Sequence, residues 1–268
     1  MPEFQEFYNP YNPSNRLFTR TDIQAILDKH NCDFEIKNTK HYQTAMVHSS
    51  YVRRQEYVTP NGDKMKLANK PNECLSLFEE SYERLEHLGD SILGSCVTIY
   101  LFKRYDTESE GFLTDLKKEI VCNETLGILS KEIGLDKFYI ISRHNEDACA
   151  GRSNSKKLGD ILEAFIGALY TDCENLQTVY SFVICLIEKY IDIPKILRSN
   201  RNYKEQLQKL VQAKFHRTPR YEIVSAATNM FTMAAVDEDG TQLGIGTAPT
   251  KKQAEQLAAK EAIEKFNK

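Results

Sequence analysis

Several features that would place a chain in a membrane or outside the cell are missing here. No apolar run approaches the roughly 18 residues needed to cross a bilayer. The opening stretch MPEFQEFYNPYNPSNRLF has no basic patch followed by an apolar block, so neither a membrane span nor a secretory signal is expected. No C-x-x-C pair occurs. The seven cysteines (Cys32, Cys74, Cys96, Cys122, Cys149, Cys173 and Cys185) are scattered and odd in number. That argues against a zinc site and a disulfide framework, and for reduced thiols in a cytosol-like compartment. A strong charge of one sign is also absent, the net charge being -3. What is present is a chain of 268 residues with 41% hydrophobic side chains, enough to pack a core in one or two domains.

The charge is unevenly spread. Residues 203–268 carry ten Lys/Arg and eight Asp/Glu, a balance of +2, which leaves -5 for residues 1–202. A mildly basic tail behind an acidic body suits a metal-dependent body with an appended grip for a polyanion, although differences this small also arise by chance.

Residues 1–18, rich in Asn, Pro and aromatics without periodicity, are expected to form an irregular extension. Thr21 looks like a helix N-cap before the apolar stripe Ile23, Ile26, Leu27. A short helix is expected over 40–51 and a long surface loop over 54–78. A long helix is expected from about Glu79 to Tyr105; its centre, ILGSCVTIYLF, is apolar on nearly every side, as for a helix buried inside an all-α domain. Further helices are expected near 112–121, 123–133, 155–173 and 175–190, the last ended by Ile193-Pro194. Residues 193–202 read as a polar, basic linker. After Tyr203 the pattern becomes α-β-β-β-α: an amphipathic helix, alternating strands with an Asp239-Gly240 turn, and an alanine-rich closing helix. The expected domains are therefore 19–192 and 203–268.

The stretch ERLEHLGDSIL (83–93) sets Glu83, Glu86 and Asp90 among aliphatic residues. At about 100° per residue these acids fall within a sector of about 60°, and Glu86 and Asp90 stack one turn apart. A second pair, Asp160 and Glu163, lies three residues apart in KKLGDILEAFIGALY. Two apolar helices packed together could bring four acids to one point, where they remain ionised only if divalent cations neutralise them. Oxygen-only ligands suit Mg²⁺ or Mn²⁺ rather than zinc. Two such ions about 4 Å apart form a known clamp for phosphodiester cleavage. Acids at this spacing also occur on ordinary solvated helix faces, and spacing alone favours that reading. The aliphatic residues bracketing Asp90 and Asp160 weigh against it.

ERLEHLGDSIL resembles the signature of the ribonuclease III family, which includes bacterial enzymes, Dicer and Drosha. AMVHSSY (45–51), EGFLTDLKKEIVCNETLG (110–127) and KKLGDILEAFIGALYTD (156–172) resemble further family motifs in the family's order. The resemblance covers about residues 20–192. It implies Glu86, Asp90, Asp160 and Glu163 as catalytic and metal-binding acids, with Glu83 and Glu110 as accessory acids. Lys156 matches a lysine that approaches the scissile phosphate in Dicer-like relatives, an ordinary solvated lysine being the alternative. Asn123 reads as a helix N-cap. The implied chemistry is Mg²⁺-dependent hydrolysis of double-stranded RNA, leaving 5′-phosphate and 3′-hydroxyl ends with two-nucleotide 3′ overhangs. With one copy of the motif, the chain is expected to act as a homodimer. No membrane and no small-molecule cofactor are implied.

In many relatives an apolar residue that packs into the partner subunit follows the second signature acid; here it is His87. A neutral imidazole could fill that socket and a charged one would be costly, so dimer affinity is expected to weaken as pH falls. A tolerant hydrogen-bonded seam is the competing reading.

Residues 203–268 resemble a double-stranded RNA-binding domain, which reads A-form shape largely without sequence preference. The resemblance implies phosphate contacts by Lys251 and Lys252 at a helix N-terminus and minor-groove contacts by Gln208 and Gln212. The loop near AATNM lacks the usual Gly-Pro-x-His sequence, and Thr228 and Asn229 are weak substitutes. Modest, salt-sensitive RNA binding by this part is the consequence. Two rivals remain open: an inactive RNA-binding relative, and a nuclease that needs another protein.

Overall fold

The computed structural model describes residues 7–58, 62, 64–199, 203–227 and 230–266. It contains two compact units, Met1–Ile193 and Pro194–Lys268.

The first unit is built around one helix. Its helices are α1 (Arg20–Lys29), α2 (Thr39–Ala45), α3 (Glu83–Arg104), α4 (Glu110–Ile120), α5 (Asn123–Glu132), α6 (Arg143–Cys149), α7 (Ser155–Cys173) and α8 (Leu176–Tyr190). In α7 nearly every residue from Leu158 to Leu169 is buried, because α2, α3, α5 and α8 all pack against it. Helix α3 is apolar all round in sequence but not buried all round. Ile92, Leu93, Cys96, Val97, Tyr100 and Leu101 face the core, whereas Ser95 and Thr98 are exposed, as are Ile99 at 38% and Phe102 at 69%. One side of the helix covers α7, and among the described residues the side carrying Ser95, Thr98, Ile99 and Phe102 is exposed, with Lys117 of α4 and the adjoining Val121 at its edge.

Helix starts follow local capping chemistry. Helix α1 is capped by Thr19 rather than Thr21. The Thr19 hydroxyl accepts from the Asp22 amide, and the Asp22 carboxylate accepts from the Thr19 amide, a reciprocal box that satisfies two orphan donors. Asn123 is not a cap: it is the first residue of α5, and the capping position belongs to Cys122, which makes no side-chain cap bond.

The N-terminal segment is not a loose extension where it is described. β1 (Phe7–Tyr8) pairs in parallel with β3 (Lys64–Leu67), which pairs antiparallel with β2 (Tyr57–Val58). Part of the expected surface loop is thus a small sheet, and its later residues Cys74 and Leu77 join a core cluster with Tyr11, Val47, Tyr51 and Ile140. Phe18 is fully buried and stacks 4.4 Å from Phe138. The amides of Asn12 and Asn15 both donate to the Ile141 carbonyl, at 3.2 and 3.0 Å.

Helix α8 ends at Tyr190. The expected polar linker then begins as another helix, α9 (Ile193–Ser199), with Pro194 in its first turn, where the missing amide costs nothing.

The second unit has α10 (Tyr203–Phe215), β4 (Arg220–Ala227), β5 (Met230–Val236), β6 (Gln242–Ala248) and α11 (Lys251–Phe266), with the antiparallel sheet in sequence order. Leu207 and Val211 of α10 and Ala258, Ala259 and Ala262 of α11 meet Ala235 in one core. The alanines and the glycines of β6 serve one purpose. A Cβ on Gly244 or Gly246 would collide with the backbone of α11 at Ala258 and Ala262, or at Ala254 and Ala258, so the helix lies directly on the strand.

Candidate active site

The site exists because α3 and α7 touch backbone to backbone. A Cβ on Gly89 would overlap the Glu163 carbonyl, and one on Gly167 would overlap the Leu85 carbonyl. At that crossing the acids of both helices come together. One carboxylate oxygen from each of Glu86, Asp160 and Glu163 lies within 4.8 Å of the other two. Among the described residues this is the group of three or more potential ligating side chains that the fold assembles.

Asp90 stands at the edge of this group. It is exposed and contributes no oxygen to the tight group, because it lies one turn further along α3, next to the uncovered face of Ser91 and Ser95. Its charge nevertheless reaches the group: after burial, Asp90 is the strongest influence raising Glu163, followed by Asp160 and Glu86. Together these push Glu163 up to about 8. Burial, with Asp160 and Glu83 as the leading like charges, also raises Glu86. Burial raises Asp160 against the opposing pull of a Tyr82 hydrogen bond, Lys156 and Lys157. Three carboxyls that resist ionisation for want of a counter-charge, presenting only oxygen donors, fit a hard divalent cation.

Tyr82 lies immediately before α3 and donates its hydroxyl to Asp160 Oδ2 at 3.2 Å. Burial, and then the Asp160 charge, raises its own titration. The buried Tyr139 packs its ring 6.3 Å from that of Tyr82. His48 completes this aromatic group; burial, then the Lys157 charge, pushes its imidazole down to about 4, so it is neutral at ordinary pH. His48 Nδ1 accepts from the Ser50 amide at 3.1 Å.

The accessory positions divide. Glu83 is exposed, accepts from the Ser81 hydroxyl at 3.1 Å and raises Glu86. Glu110 opens α4 and accepts from Thr114 Oγ1 at 2.8 Å; it is not among the charges that act on Glu86, Asp160 or Glu163. Lys156, exposed in the first turn of α7, is the cation whose charge lowers Glu86, and it acts on Asp160 more strongly than Lys157 does.

In the second unit, Lys251 and Lys252 are the first two residues of α11 and both are exposed. Gln208 and Gln212 are exposed on α10. Gln208 and Lys252 line one concavity with Lys204, Tyr221 and Gln256. Thr228 and Asn229 lie outside the described residues.

Residues 83–174 match the ribonuclease III domain, and residues 203–266 match the double-stranded RNA binding motif. A ribonuclease 3 of Bacillus cereus is 36% identical over 229 residues, which cover 83% of both chains. The chain belongs to the ribonuclease III family of endoribonucleases. A probable ribonuclease 3 of Acanthamoeba polyphaga mimivirus is also 36% identical, over 96% of this chain; there the chain spans only 47% of the relative's length. The nuclease domain of a Campylobacter jejuni ribonuclease III has the same fold, with a TM-score of 0.50 and 23% identity over 64% of this chain and 95% of that one.

Within this ribonuclease III fold, sequence spacing placed the paired acids on α3 and α7 but gave no sign of Tyr82, His48 or Tyr139. The available signals were a tyrosine directly before the first acid of ERLEHLGD and a histidine inside AMVHSSY. Neither becomes informative until the tertiary contact with Asp160 is known.

Among the described residues no helix is long and apolar enough to cross a membrane. His87 is exposed on α3, beside a concavity that it lines with His41, Arg84 and Leu88.

Proposed function

We propose that the chain is a Mg²⁺-dependent endonuclease that hydrolyses double-stranded RNA as a homodimer, leaving 5′-phosphate and 3′-hydroxyl ends with two-nucleotide 3′ overhangs. The observation that carries this reading is the convergence of Glu86, Asp160 and Glu163 at the α3–α7 crossing. Nothing in a pure RNA binder calls for partly buried carboxylates that repel both one another and phosphate. Glu86, Asp160 and Glu163 hold the cation together with Asp90, whose charge acts on Glu163 from the edge of the group. Mg²⁺ bound there, with Mn²⁺ able to substitute, supplies an activated water and stabilises the leaving oxygen. Lys156 draws the scissile phosphate toward the acids. Glu83 and Glu110 belong to the outer acidic surface.

The second unit grips the duplex. Lys251 and Lys252 meet phosphates at the N-terminus of α11, and Gln208 and Gln212 reach 2′-hydroxyls in the minor groove. One nuclease unit cuts one strand, so a second copy supplies the second cut. The face of α3 running from His87 through Ser91, Ser95 and Ile99 to Phe102 supports that assembly because these residues are exposed among the described residues. The described residues 7–18, 54–58 and 64–78 go with the nuclease domain, 19–192, and the double-stranded RNA-binding domain is 203–268.

Incubation of the purified full chain with a long RNA duplex is expected to yield short duplexes with Mg²⁺ and none with a chelator. Glu163→Gln is expected to bind the duplex and leave it intact. A wild-type chain that shifts the duplex on a gel but never cuts it in Mg²⁺ or Mn²⁺ would be an inactive binding relative instead.

A further inference from the structure

The tyrosine that starts α3 connects the two acid-bearing helices. The Tyr82 amide donates to the Val47 carbonyl at 2.8 Å, and its carbonyl accepts from the Glu86 amide at 2.9 Å, so its backbone anchors and opens the first turn of α3. Its side chain crosses to α7 and donates to Asp160 Oδ2. Tyr82 is 6% exposed and Asp160 is 9% exposed, so water competes little for this bond. Behind it, the Tyr139 hydroxyl is buried and lacks a partner of good hydrogen-bond geometry, and the rings of Tyr82, Tyr139 and His48 pack within 6.3 Å of one another. The phenol therefore has little room to turn away from Asp160.

We propose that Tyr82 is a positioning residue for the cation site: it fixes the plane of the Asp160 carboxylate and couples it to the helix carrying Glu86 and Asp90. This rests on the metal-binding reading of the acid group. A carboxylate held at one oxygen presents the other in one direction, whereas an unheld one rotates between orientations and loses that freedom only on binding. Partners of this kind behind a ligating group change metal affinity or activity by about 10- to 100-fold.

The test is direct binding of Mn²⁺ alone to the full chain by titration calorimetry, without RNA. Wild type, Tyr82→Phe and Asp160→Asn are compared, with the Mg²⁺ dependence of duplex cleavage measured alongside. Tyr82→Phe is expected to weaken Mn²⁺ binding by about 10- to 100-fold. It is also expected to shift the cleavage curve to higher Mg²⁺ by a similar factor, the rate recovering at saturating Mg²⁺, with duplex binding in chelator unchanged. A general loss of fold would lower duplex binding and the rate at saturation as well. Wild-type Mn²⁺ affinity in Tyr82→Phe, with affinity lost in Asp160→Asn, overturns the positioning role and leaves the metal site standing. Wild-type affinity in Asp160→Asn overturns the metal-site reading and the positioning role with it. Should Tyr82→Phe fail to fold, the wild-type chain carrying ¹³C at tyrosine Cζ answers the same question. Addition of Mg²⁺ is expected to move one tyrosine Cζ resonance, and a spectrum in which none moves overturns the proposal.

Discussion

Glu163 carries an electrostatic cost that a bound cation would relieve. Its carboxyl stands at about 8 against an ordinary 4.5, first because it is buried and then because Asp90, Asp160 and Glu86 surround it. The folded metal-free chain therefore keeps a proton on Glu163 that the unfolded chain releases near pH 4.5. Stability from this group is fully present below about 4.5 and is lost as pH rises toward about 8. In chelator, the melting temperature of the wild type is expected to fall across that window more steeply than that of Glu163→Gln, and saturating Mg²⁺ is expected to remove most of the difference. Parallel melting curves for the two proteins in chelator would show that Glu163 ionises freely. At this scale the sequence disclosed the acids but not their environment. Helical spacing places Glu86 and Asp90 on one face, yet it cannot tell that Glu86 turns into the crossing while Asp90 stays exposed, since that depends on where α7 lies. The Tyr82 contact spans 78 residues of chain, so no local pattern encodes it.

Among the elements, helices were legible where a cap and an apolar stripe coincide. Ser109, Asn154 and Asn175 each accept amide hydrogens at the start of a helix, and α4, α7 and α8 follow within a residue or two of where the stripe predicts. The segments that were not legible bury themselves without periodicity. Asn12 and Asn15 are held by side-chain bonds to Ile141, and strands as short as Phe7–Tyr8 and Tyr57–Val58 give no alternation to detect. Small α6 was missed for a different reason: it has no buried residue and therefore no apolar stripe. The element that decides function is the α3–α7 pair, and its closeness depends on two glycines. Gly89→Ala places a methyl group on the Glu163 carbonyl, a backbone atom that cannot swing aside. The helices must part, at a cost of about 1–3 kcal/mol or more. Separation also pulls Glu86 from Asp160 and Glu163. Thermal melting and calorimetric Mn²⁺ titration are expected to register both losses. A Gly89→Ala chain with wild-type melting and wild-type Mn²⁺ affinity would mean that the crossing tolerates separation.

For the whole molecule, the division of labour follows from charge. The acidic unit that would hold the cation repels RNA, and the basic excess of residues 203–268 is only +2, so neither unit alone makes a strong polyanion surface. Two copies acting together would double the number of phosphate contacts on one duplex and supply a cut on each strand, which is the physical advantage a dimer would have. The surface available for that contact is the side of α3 that the fold leaves open, where Ile99 and Phe102 are exposed beside Ser95 and Thr98. Ile99 also lines a concavity with Asp90 and Lys117, so a second copy seated there would close over the edge of the acid group at Asp90. Ile99→Asp leaves the α7-facing core of α3 untouched, and the monomer is expected to keep its helicity and melting behaviour. In a dimer the new carboxylate would be buried without a partner. Sedimentation is expected to show a dimer dissociation constant raised at least about 10-fold, equivalent to about 1.4 kcal/mol, with duplex cleavage falling in step at protein concentrations where the wild type is dimeric. An Ile99→Asp chain that sediments as the wild type would move the assembly surface elsewhere on the nuclease unit.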